Sequence, residues 1–253
     1  MGLGQGLIDF YFEHVYTPIY DVTVGQFTAY RELQEGCVNR FRFGKKQRVL
    51  CVGVGTGNEI NYFRNGKVRN VEIVGVDLSE RALIKARQKG SKLGMDVKLL
   101  KMDARRLDFP TESFDDALCV HVMDWVDNVE DATREILRVL RPGGQYVITY
   151  PAKKEGAGLG ASVLMEGLRQ NIKSRRFIRA LVELLSVVIL GIIYTPFLFR
   201  PRQKAYAKSE IEEMLQKLGG GSFQIEIDGV YCDIIVSGRK LKGARDAKER
   251  RAA

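Results

Sequence analysis

The stretch from Arg48 to Asp77 constrains the fold of this chain more than any other. Two short apolar runs, 49–52 and 71–76, enclose a cluster of three glycines and a polar segment of helical character. Short apolar runs that are bounded by glycine and joined by a helix are typical of a βαβ unit in a parallel sheet. The sequence therefore predicts an α/β fold, with the glycines at the turn from the first strand into the helix.

The glycines and the acid that follows them predict a nucleoside site. Gly53, Gly55 and Gly57 let the backbone turn tightly and bring a ligand close to bare N–H groups. Asp77 lies 20 residues beyond Gly57, at the end of the second apolar run, where a carboxylate can accept both hydroxyls of a ribose. A dinucleotide fingerprint would need glycine where Asn58 stands, and no P-loop lysine follows Gly57, so the spacing disfavours both of those sites.

Composition narrows the class of protein. A chain of 253 residues can bury one sizeable core, so we expect a single α/β domain. Forty Lys and Arg against 31 Asp and Glu give a net charge of +9, which favours an anionic partner such as a lipid surface, nucleic acid or acidic substrate. Four cysteines without a C-x-x-C spacing and only two histidines predict buried free thiols and no metal cluster. No signal peptide is apparent.

The remaining apolar runs predict five more strands. They lie at 97–100, 117–120, 145–150, 223–227 and 230–236. Ser79 and Asn128 are good N-caps for helices over about 79–92 and 129–140. Asp228-Gly229 is a hairpin signal between the last two runs, and it makes the last strand antiparallel to the others. The predicted fold is α/β: a Rossmann-like, seven-stranded, mostly parallel sheet with an antiparallel last strand and helices on both faces.

Four motifs together resemble the class I S-adenosylmethionine (SAM) methyltransferases. They are the G-x-G-x-G loop at 53–57, the acid that ends the second strand, F-P-x-x-S-F-D at 109–115, and L-R-P-G-G at 140–144. The resemblance covers about residues 48–150 in the correct order, and the predicted sheet is the arrangement of that family. It implies a SAM-dependent methyltransferase (EC 2.1.1) with SAM as its cofactor.

The resemblance also implies how SAM is held. The glycine loop would hold the methionine end, Asp77 the ribose, and Asp103 with the backbone N–H of Ala104 the adenine; an exposed turn carboxylate is the alternative for Asp103. The family usually has an acid two residues before the first glycine, where this chain has Cys51, so the contacts of that acid must be replaced or lost. The residues implied to contact SAM are Gly53, Gly55, Gly57, Asp77, Leu78, Asp103, Ala104 and His121.

His121 and Tyr20 are the candidate catalytic residues. Methyl transfer is an in-line displacement at an activated sulfonium, so the protein mainly aligns the nucleophile and excludes water. An amine or phenol must first lose a proton, and His121 stands at the carboxyl end of the fourth strand, where open α/β sheets bind ligands. We predict His121 as the base and Tyr20 as the residue that orients it; a hydrogen-bonded structural histidine is the alternative.

Residues 1–44 form an aromatic-rich leader ahead of the methyltransferase domain at 45–238. Helical spacing is predicted for about 7–16 and 25–42, with an interruption at Pro18. The leader either packs against the sheet edge or forms a helical lid over the cofactor cleft. Tyr20-Asp21 ahead of the glycine motif resembles the start of quinone-type and phospholipid-type methyltransferases, which supports the lid. The charged tail at 239–253 is predicted to be disordered.

An insertion at 155–207, between strands five and six, is longer than one crossover helix needs. Within it 180–199 is nearly all apolar, which matches the length of a membrane span, but a single crossing would separate strands six and seven from the rest of the sheet. The alternatives are a segment in the membrane interface, a re-entrant hairpin that bends at Thr195-Pro196, and a buried helix that caps the substrate cleft. Basic residues flank the apolar stretch at Arg169, Lys173, Arg175, Arg176, Arg179, Arg200, Arg202, Lys204 and Lys208.

These features predict a hydrophobic, membrane-associated acceptor. Residues 102–123 and 138–144 resemble bacterial phosphatidylethanolamine N-methyltransferases and, less closely, quinone C-methyltransferases, whose usual Glu-x-Ser after strand five is replaced by 149–151 here. A phospholipid headgroup amine is therefore favoured, a polyprenyl quinone next. The predicted partner is an anionic membrane surface, and the predicted location is the cytoplasm, peripheral on the inner face of the membrane; the oligomeric state is open.

Three other functions are possible for such a sequence. One is a soluble small-molecule methyltransferase with a helical lid. Another is a non-catalytic SAM-fold scaffold protein, for which Cys51 is the best argument. Nucleic-acid methylation is disfavoured, and no nucleic-acid partner is predicted, because residues 121–124 replace the N-P-P-Y or D-P-P-Y that follows the fourth strand of amino-methylating enzymes of that kind.

Overall fold

The computed structural model describes residues 6, 10–44, 47–65, 71–153, 159–194, 205–229 and 233–242. The predicted bend at Thr195-Pro196, the fourth cysteine (Cys232) and the part of the tail at 243–253 lie outside the described residues.

The described strands form one sheet in the order β3-β2-β1-β4-β5-β7-β6. Strands β1 to β5 are parallel, whereas β7 runs antiparallel to both β5 and β6. The predicted Rossmann-like sheet with an antiparallel last strand is thus confirmed. The strands are β1 Arg48–Val52, β2 Glu72–Asp77, β3 Val97–Lys101, β4 Phe114–Cys119, β5 Leu140–Pro151, β6 Ser222–Ile227 and β7 Asp233–Arg239.

Helices cover both faces of the sheet. They are α1 Thr28–Asn39, α2 Ile60–Asn65, α3 Glu80–Lys92, α4 Val129–Val139, α5 Leu159–Lys173, α6 Phe177–Tyr194 and α7 Lys208–Leu218. Both predicted N-caps are confirmed: Ser79 Oγ accepts from the N–H of Ala82, and Asn128 Oδ1 accepts from the N–H groups of Glu130 and Asp131. β5 begins at Leu140, directly after α4, and so starts earlier than the predicted 145–150.

The alternation of side chains along the strands divides the core into two layers. Val49 and Cys51 of β1 pack with α1, α2 and α3 on one face of the sheet. Leu50 and Val52 pack with α4 and α7 on the other face. All four are at most 2% exposed, so β1 is apolar on both sides, as a central strand of a parallel sheet requires. Because β1 is parallel to both β2 and β4, the carboxyl ends of these three strands lie together at one edge of the sheet, between the two layers.

The leader is helical through the proline that was predicted to interrupt it. A π-helical turn, Phe12–Tyr16, leads into α-helical Thr17–Ile19 and then a 3₁₀ turn, Tyr20–Val22. The interruption predicted at Pro18 is wrong because the proline lies in the first turn of a new helical segment, where its missing N–H donor is not needed. A second 3₁₀ turn, Val24–Gln26, connects this segment to α1, which packs on the sheet.

Helix α6 buries the polar side chains of Glu183 and Ser186 and exposes most of its large apolar residues. Glu183 is 0% exposed: it accepts from the backbone N–H of Thr28 at 3.0 Å and from Asn171 Nδ2 of α5 at 2.6 Å. A side chain at Gly167 of α5 would place its Cβ 2.1 Å from Glu183 Oε1, so the two helices approach closely at this glycine. The exposed large apolar residues of α6 are Phe177, Ile178, Leu181, Val182, Leu184, Leu185, Val188, Ile189 and Ile192. We call this set the outer face of α6.

Within the described residues, no helix combines the length and the apolar content that a bilayer crossing requires.

Candidate active site

The glycine loop has a backbone that only glycine accommodates easily. Gly53, Gly55 and Gly57 have φ values of 63°, 51° and 79°. A Cβ at Gly53 would lie 2.1 Å from Val122, and one at Gly57 would lie 2.8 Å from Ile60. At Gly55 the nearest atom would be 3.9 Å away, so the space above this glycine is open and its backbone is accessible to a ligand. The loop thus forms a cradle at the end of β1.

Asp77 at the end of β2 is fixed by backbone donors. Its Oδ2 accepts from the N–H of Gly55 and its Oδ1 from the N–H of Ser79, both at 2.8 Å. Burial raises the pKa of this carboxyl, and the two hydrogen bonds act in the opposite direction. Leu78 beside it is 61% exposed. A rigid carboxylate next to an exposed apolar side chain suits a ribose and the flat base attached to it.

Asp103 lies after β3 and is paired with Arg105 at 2.7 Å. Hydrogen bonds from the Arg105 side chain lower the pKa of Asp103, so the carboxylate is ionised and keeps lone pairs that can accept an amino group. Ala104 is 8% exposed. These two residues follow β3, which is parallel to β2, so they lie at the same carboxyl-terminal edge of the sheet as Asp77.

His121 is held at the end of β4 from three directions. Its φ is 55°, a left-handed value that is rare for a non-glycine residue, and its N–H donates to Thr149 Oγ1 at 2.9 Å. Its Nε2 lies 2.6 Å from Oδ2 of Asp233 at the start of β7. Burial alone would lower the pKa of His121, but the hydrogen bond and negative charge of Asp233 raise it above the usual value. The aromatic ring of Tyr30 packs against the imidazole, with 5.1 Å between centroids.

A row of hydrogen bonds connects Tyr20 to a buried acid, and His121 packs against that row. The hydroxyl of Tyr20 bonds to the hydroxyl of Tyr30, which packs on His121. Gln34 Nε2 donates to Tyr30 Oη at 3.0 Å and to Glu59 Oε1 at 2.6 Å. Burial and the neighbouring Tyr30 raise the pKa of Tyr20 well above its ordinary value. The structure therefore brings Tyr20 and His121 together through Tyr30.

The leader also contacts the glycine loop directly. Thr56 Oγ1 donates to Asp21 Oδ1 at 2.6 Å, and Lys89 of α3 pairs with the same oxygen at 2.8 Å. The rings of Phe12 and Tyr16 pack on Trp125, which follows β4. Residues 11–27 thus extend from the turn after β4 to the loop after β1.

Four residues of this site were not identified from the sequence as functional. Tyr30 and Gln34 are four residues apart on α1, the spacing that places two side chains on one helix face. Glu59 is an acid immediately before an apolar helix start, and Asp233 interrupts an apolar strand. Of the four, only Asp233 is a polar residue in an apolar run, a signal that the sequence shows directly. Their convergence depends on α1, β4 and β7 meeting, which sequence spacing does not reveal.

The described cysteines are structural side chains of the core. Cys37, Cys51 and Cys119 are buried and free. Burial raises the pKa of Cys37 to about 12 and raises those of the other two as well, so these thiols stay protonated at neutral pH. No group of potential metal ligands occurs in the part of the chain that the structure describes.

The turn between α5 and α6 carries a cluster of positive charge. Arg175, Arg176 and Arg179 line an open groove of about 590 Å³, together with Gln26 of the leader and apolar residues of α6. In the described ranges none of these three arginines forms an ion pair. Burial lowers the pKa of Arg31 on α1, and the positive charges of Arg179 and Arg176 lower it further. We call these three residues the arginine turn.

Comparisons with known proteins agree with the fold. The profile of a family described as a methyltransferase domain matches residues 50–148. A phosphatidylethanolamine N-methyltransferase of Cereibacter sphaeroides is 33% identical over 145 residues, 56% of this chain and 68% of the relative. A demethylmenaquinone methyltransferase of Thermus thermophilus is 32% identical over 112 residues, 44% of this chain and 50% of the relative.

A solved structure shows the same fold at lower identity. Phosphoethanolamine N-methyltransferase 2 of Haemonchus contortus, in complex with S-adenosyl-L-methionine, superposes with a TM-score of 0.53 at 21% identity. The match covers 77% of this chain and 38% of that one. The fold and the cradle define a nucleoside-binding α/β enzyme, and with these relatives the chain belongs to the class I SAM-dependent methyltransferases. Its cofactor is SAM.

The residues present fit that cofactor. The open space above Gly55, the fixed carboxylate of Asp77 and the exposed side chain of Leu78 lie together at the carboxyl edge of the sheet. The adenosine and the methionine of SAM require these kinds of contact: a polar grip on the sugar, an apolar surface for the base and accessible backbone for the amino-acid end.

Proposed function

We propose that this enzyme transfers the methyl group of SAM to the amine of a phospholipid headgroup at a membrane surface. The observation that carries the proposal is the outer face of α6, which exposes apolar side chains while Glu183 and Ser186 are buried. Contiguous apolar surface on a soluble fold marks an interaction site, and a helix of this kind can lie in the interface of a bilayer.

The arginine turn supports an anionic membrane as the partner. Phe177 and Ile178 are 65% and 83% exposed and directly follow Arg176. Side chains that insert into lipid are thus adjacent to side chains that bind phosphate. Each basic residue near an anionic leaflet contributes about 1 kcal/mol. The enzyme would thus be a peripheral protein on the cytoplasmic face of a membrane.

The relatives support the class of acceptor. The Cereibacter relative is named for methylation of phosphatidylethanolamine, and the Thermus relative for methylation of a demethylmenaquinone. Both acceptors carry long apolar chains. An amine is favoured here over a quinone carbon because the match to the Cereibacter relative covers more of both chains, and because residues 149–151 replace the Glu-x-Ser usual in quinone enzymes.

In this proposal Asp77 binds the ribose, Leu78 packs on the nucleoside, Asp103 and Ala104 bind the adenine, and the glycine loop approaches the methionine end. The sulfonium of SAM supplies an already activated methyl group. The protein's task is to exclude water and align the amine, and residues 11–27 would act as the lid that does so.

His121 would take the proton that the headgroup amine must lose. With its Nε2–H donated to Asp233, the imidazole would accept that proton at its other ring nitrogen, Nδ1. Tyr20 and Tyr30 would position the amine beside the imidazole, since both hydroxyls are fixed by hydrogen bonds. Asp233 does not contact the acceptor; it orients the ring and stabilises its protonated form.

Mass spectrometry with deuterated-methyl SAM tests the proposal. Vesicles with phosphatidylethanolamine, vesicles with a demethylated quinone, and soluble ethanolamine would be compared. We expect the label on the nitrogen of the phospholipid. Label on a quinone ring carbon, label only on the soluble amine, or no transfer to any acceptor would each contradict it.

The pH profile tests the role of Asp233. His121 must be neutral to accept a proton, so kcat/KM should rise with pH through the pKa of His121, which Asp233 raises above its usual value. Asp233→Asn removes the charge that raises this pKa, so the rising limb should move to lower pH and the plateau should fall by about tenfold or more. Asp96→Asn, at an exposed position before β3, is the control. An unchanged profile in Asp233→Asn would exclude the pairing from catalysis.

A further inference from the structure

A buried acid lies beside the glycine loop of a chain that lacks the usual acid at Cys51. Glu59 follows Gly57 by two residues and is 7% exposed. Cys51 and Ile60, the residue after Glu59, belong to the same core layer. Burial raises the pKa of the Cys51 thiol, and the negative charge of Glu59 raises it further, so this carboxylate lies within electrostatic range of the end of β1. This chain thus has an acid just after the glycine loop, at Glu59, and none at the strand position before the loop, at Cys51.

The Glu59 carboxylate accepts a hydrogen bond, and among the described residues no cation lies in ion-pair contact with it; Lys89 and His121 act on it as more distant positive charges. Gln34 Nε2 donates to it at 2.6 Å. The ammonium of Lys89 is directed elsewhere, to Asp21 at 2.8 Å and to Asn58 at 2.5 Å. Across the ranges that the structure describes, Glu59 takes part in no ion pair.

An arrangement of this kind points to a cationic ligand. A buried carboxylate costs several kcal/mol unless a positive charge accompanies it, and burial raises the pKa of Glu59 to about 7. Such groups in a binding cleft are candidates for ligand contacts. Gln34 fixes the carboxylate in one orientation, so it is a preorganised acceptor and not a mobile surface charge.

We propose that Glu59 binds the α-ammonium group of SAM and so replaces the acid missing at Cys51. The inference rests on the proposed placement of the methionine end at the glycine loop. It also removes the main argument for a non-catalytic scaffold, because Glu59 supplies from the other side of the loop the carboxylate that β1 does not carry. Since Gln34 also donates to Tyr30, one hydrogen-bonded row would join the cofactor's amino end to Tyr20, and His121 packs on the Tyr30 of that row.

Calorimetric binding of three ligands to the unmodified enzyme and to variants tests the assignment. SAM carries the ammonium and the sulfonium, S-adenosylhomocysteine carries only the ammonium, and 5′-methylthioadenosine carries neither. In Glu59→Gln we expect SAM and S-adenosylhomocysteine to bind at least about tenfold more weakly, by equal factors, because a buried charge pair is removed. Methylthioadenosine should bind within about twofold of the unmodified enzyme. Glu59→Asp, which keeps the charge, should retain more affinity than Glu59→Gln.

Glu183→Gln is the matched control. It makes the same chemical change at another buried, hydrogen-bonded glutamate, on α6, and should leave the affinity for all three ligands unchanged. Thermal unfolding without ligand shows whether each variant is folded. Equal binding of SAM by Glu59→Gln and the unmodified enzyme would overturn the proposal. So would a loss confined to SAM, which would assign Glu59 to the sulfonium, or an equal loss in Glu183→Gln.

Asp77→Asn separates this inference from the proposed cofactor site. If the nucleoside lies where we propose, Asp77→Asn weakens all three ligands, since all contain the ribose. A normal affinity in Asp77→Asn would refute the placement of the nucleoside, and the inference on Glu59 with it. Weak binding in Asp77→Asn with normal binding in Glu59→Gln would refute the inference alone.

Discussion

Helices α4 and α6 have opposite patterns of side-chain burial. α4 buries Ile136 and Leu137 and directs charged residues such as Arg134 outward, where they form ion pairs along the helix. α6 buries Glu183 and Ser186 and exposes most of its large apolar residues. The first pattern is the one expected of a helix between a core and water. The second exposes to water what a folded chain normally buries, and this exposure is what supports our proposal of an apolar partner for the outer face of α6.

The apolar composition of a helix does not by itself tell whether its apolar residues are buried or exposed. α6 could be apolar because it lies in the core, and the sequence leaves that alternative open. The direction of Glu183 distinguishes the two, since its carboxylate points inward to Thr28 and Asn171. A polar anchor inside and an apolar face outside is the reverse of a buried cap.

Removing the outer face should have the largest effect. Leu181→Ser, Leu185→Ser and Val188→Ser together should lower the affinity for vesicles at least about 100-fold, because each side chain contributes about 1.5–3 kcal/mol when it is buried in lipid. The melting temperature should not fall. Flotation with vesicles measures the first quantity, and Ile84→Ser, another exposed apolar position, is the control. If the triple variant floated with vesicles as well as the unmodified protein, the outer face of α6 would not be the membrane-binding surface.

Truncation on the two helices should affect stability very differently. Ile136→Ala in α4 should lower the free energy of unfolding by about 2–5 kcal/mol, since it opens a cavity in the core. Ile178→Ala in α6 should change it by less than about 0.5 kcal/mol, since this side chain is 83% exposed. Denaturant unfolding measures both. A large loss in Ile178→Ala would mean that the outer face is buried within the protein.

Neutralising the arginine turn should have a smaller effect, and only on anionic membranes. Arg175→Gln, Arg176→Gln and Arg179→Gln together should weaken binding to vesicles that contain phosphatidylglycerol about tenfold or more. Arg87→Gln, Lys92→Gln and Lys98→Gln remove the same charge from exposed positions on α3 and β3. An equal loss in this second variant would show a general effect of net charge. On purely zwitterionic vesicles both variants should bind like the unmodified protein.

The sequence was sufficient for the fold because each strand carries its own signal. The glycine loop and Asp77 predict a βαβ unit locally, and the Asp228-Gly229 turn predicts the reversed last strand. Caps at Ser79 and Asn128 were correct for the same reason: their hydrogen bonds reach only two or three residues along the chain.

The site was predictable only in part. His121 could be named as a candidate because strand ends bind ligands, but Asp233, which lies beside it, is 112 residues away and belongs to a strand that pairs with β5, not β4. Glu59 was not predicted because the family's usual acid would stand at Cys51, on the other side of the loop. Pro18 misled the prediction because its tolerance depends on the hydrogen-bond pattern of the preceding turn, which is not visible in sequence.

Methyl transfer to one headgroup in two physical states tests the account most directly. Rates would be measured with phosphatidylethanolamine in vesicles and with a short-chain, monomeric analogue in solution, for the unmodified enzyme and for the outer-face variant. We expect the variant to lose activity on vesicles and to keep it on the monomeric analogue. Equal activity of the two proteins on vesicles would contradict the account.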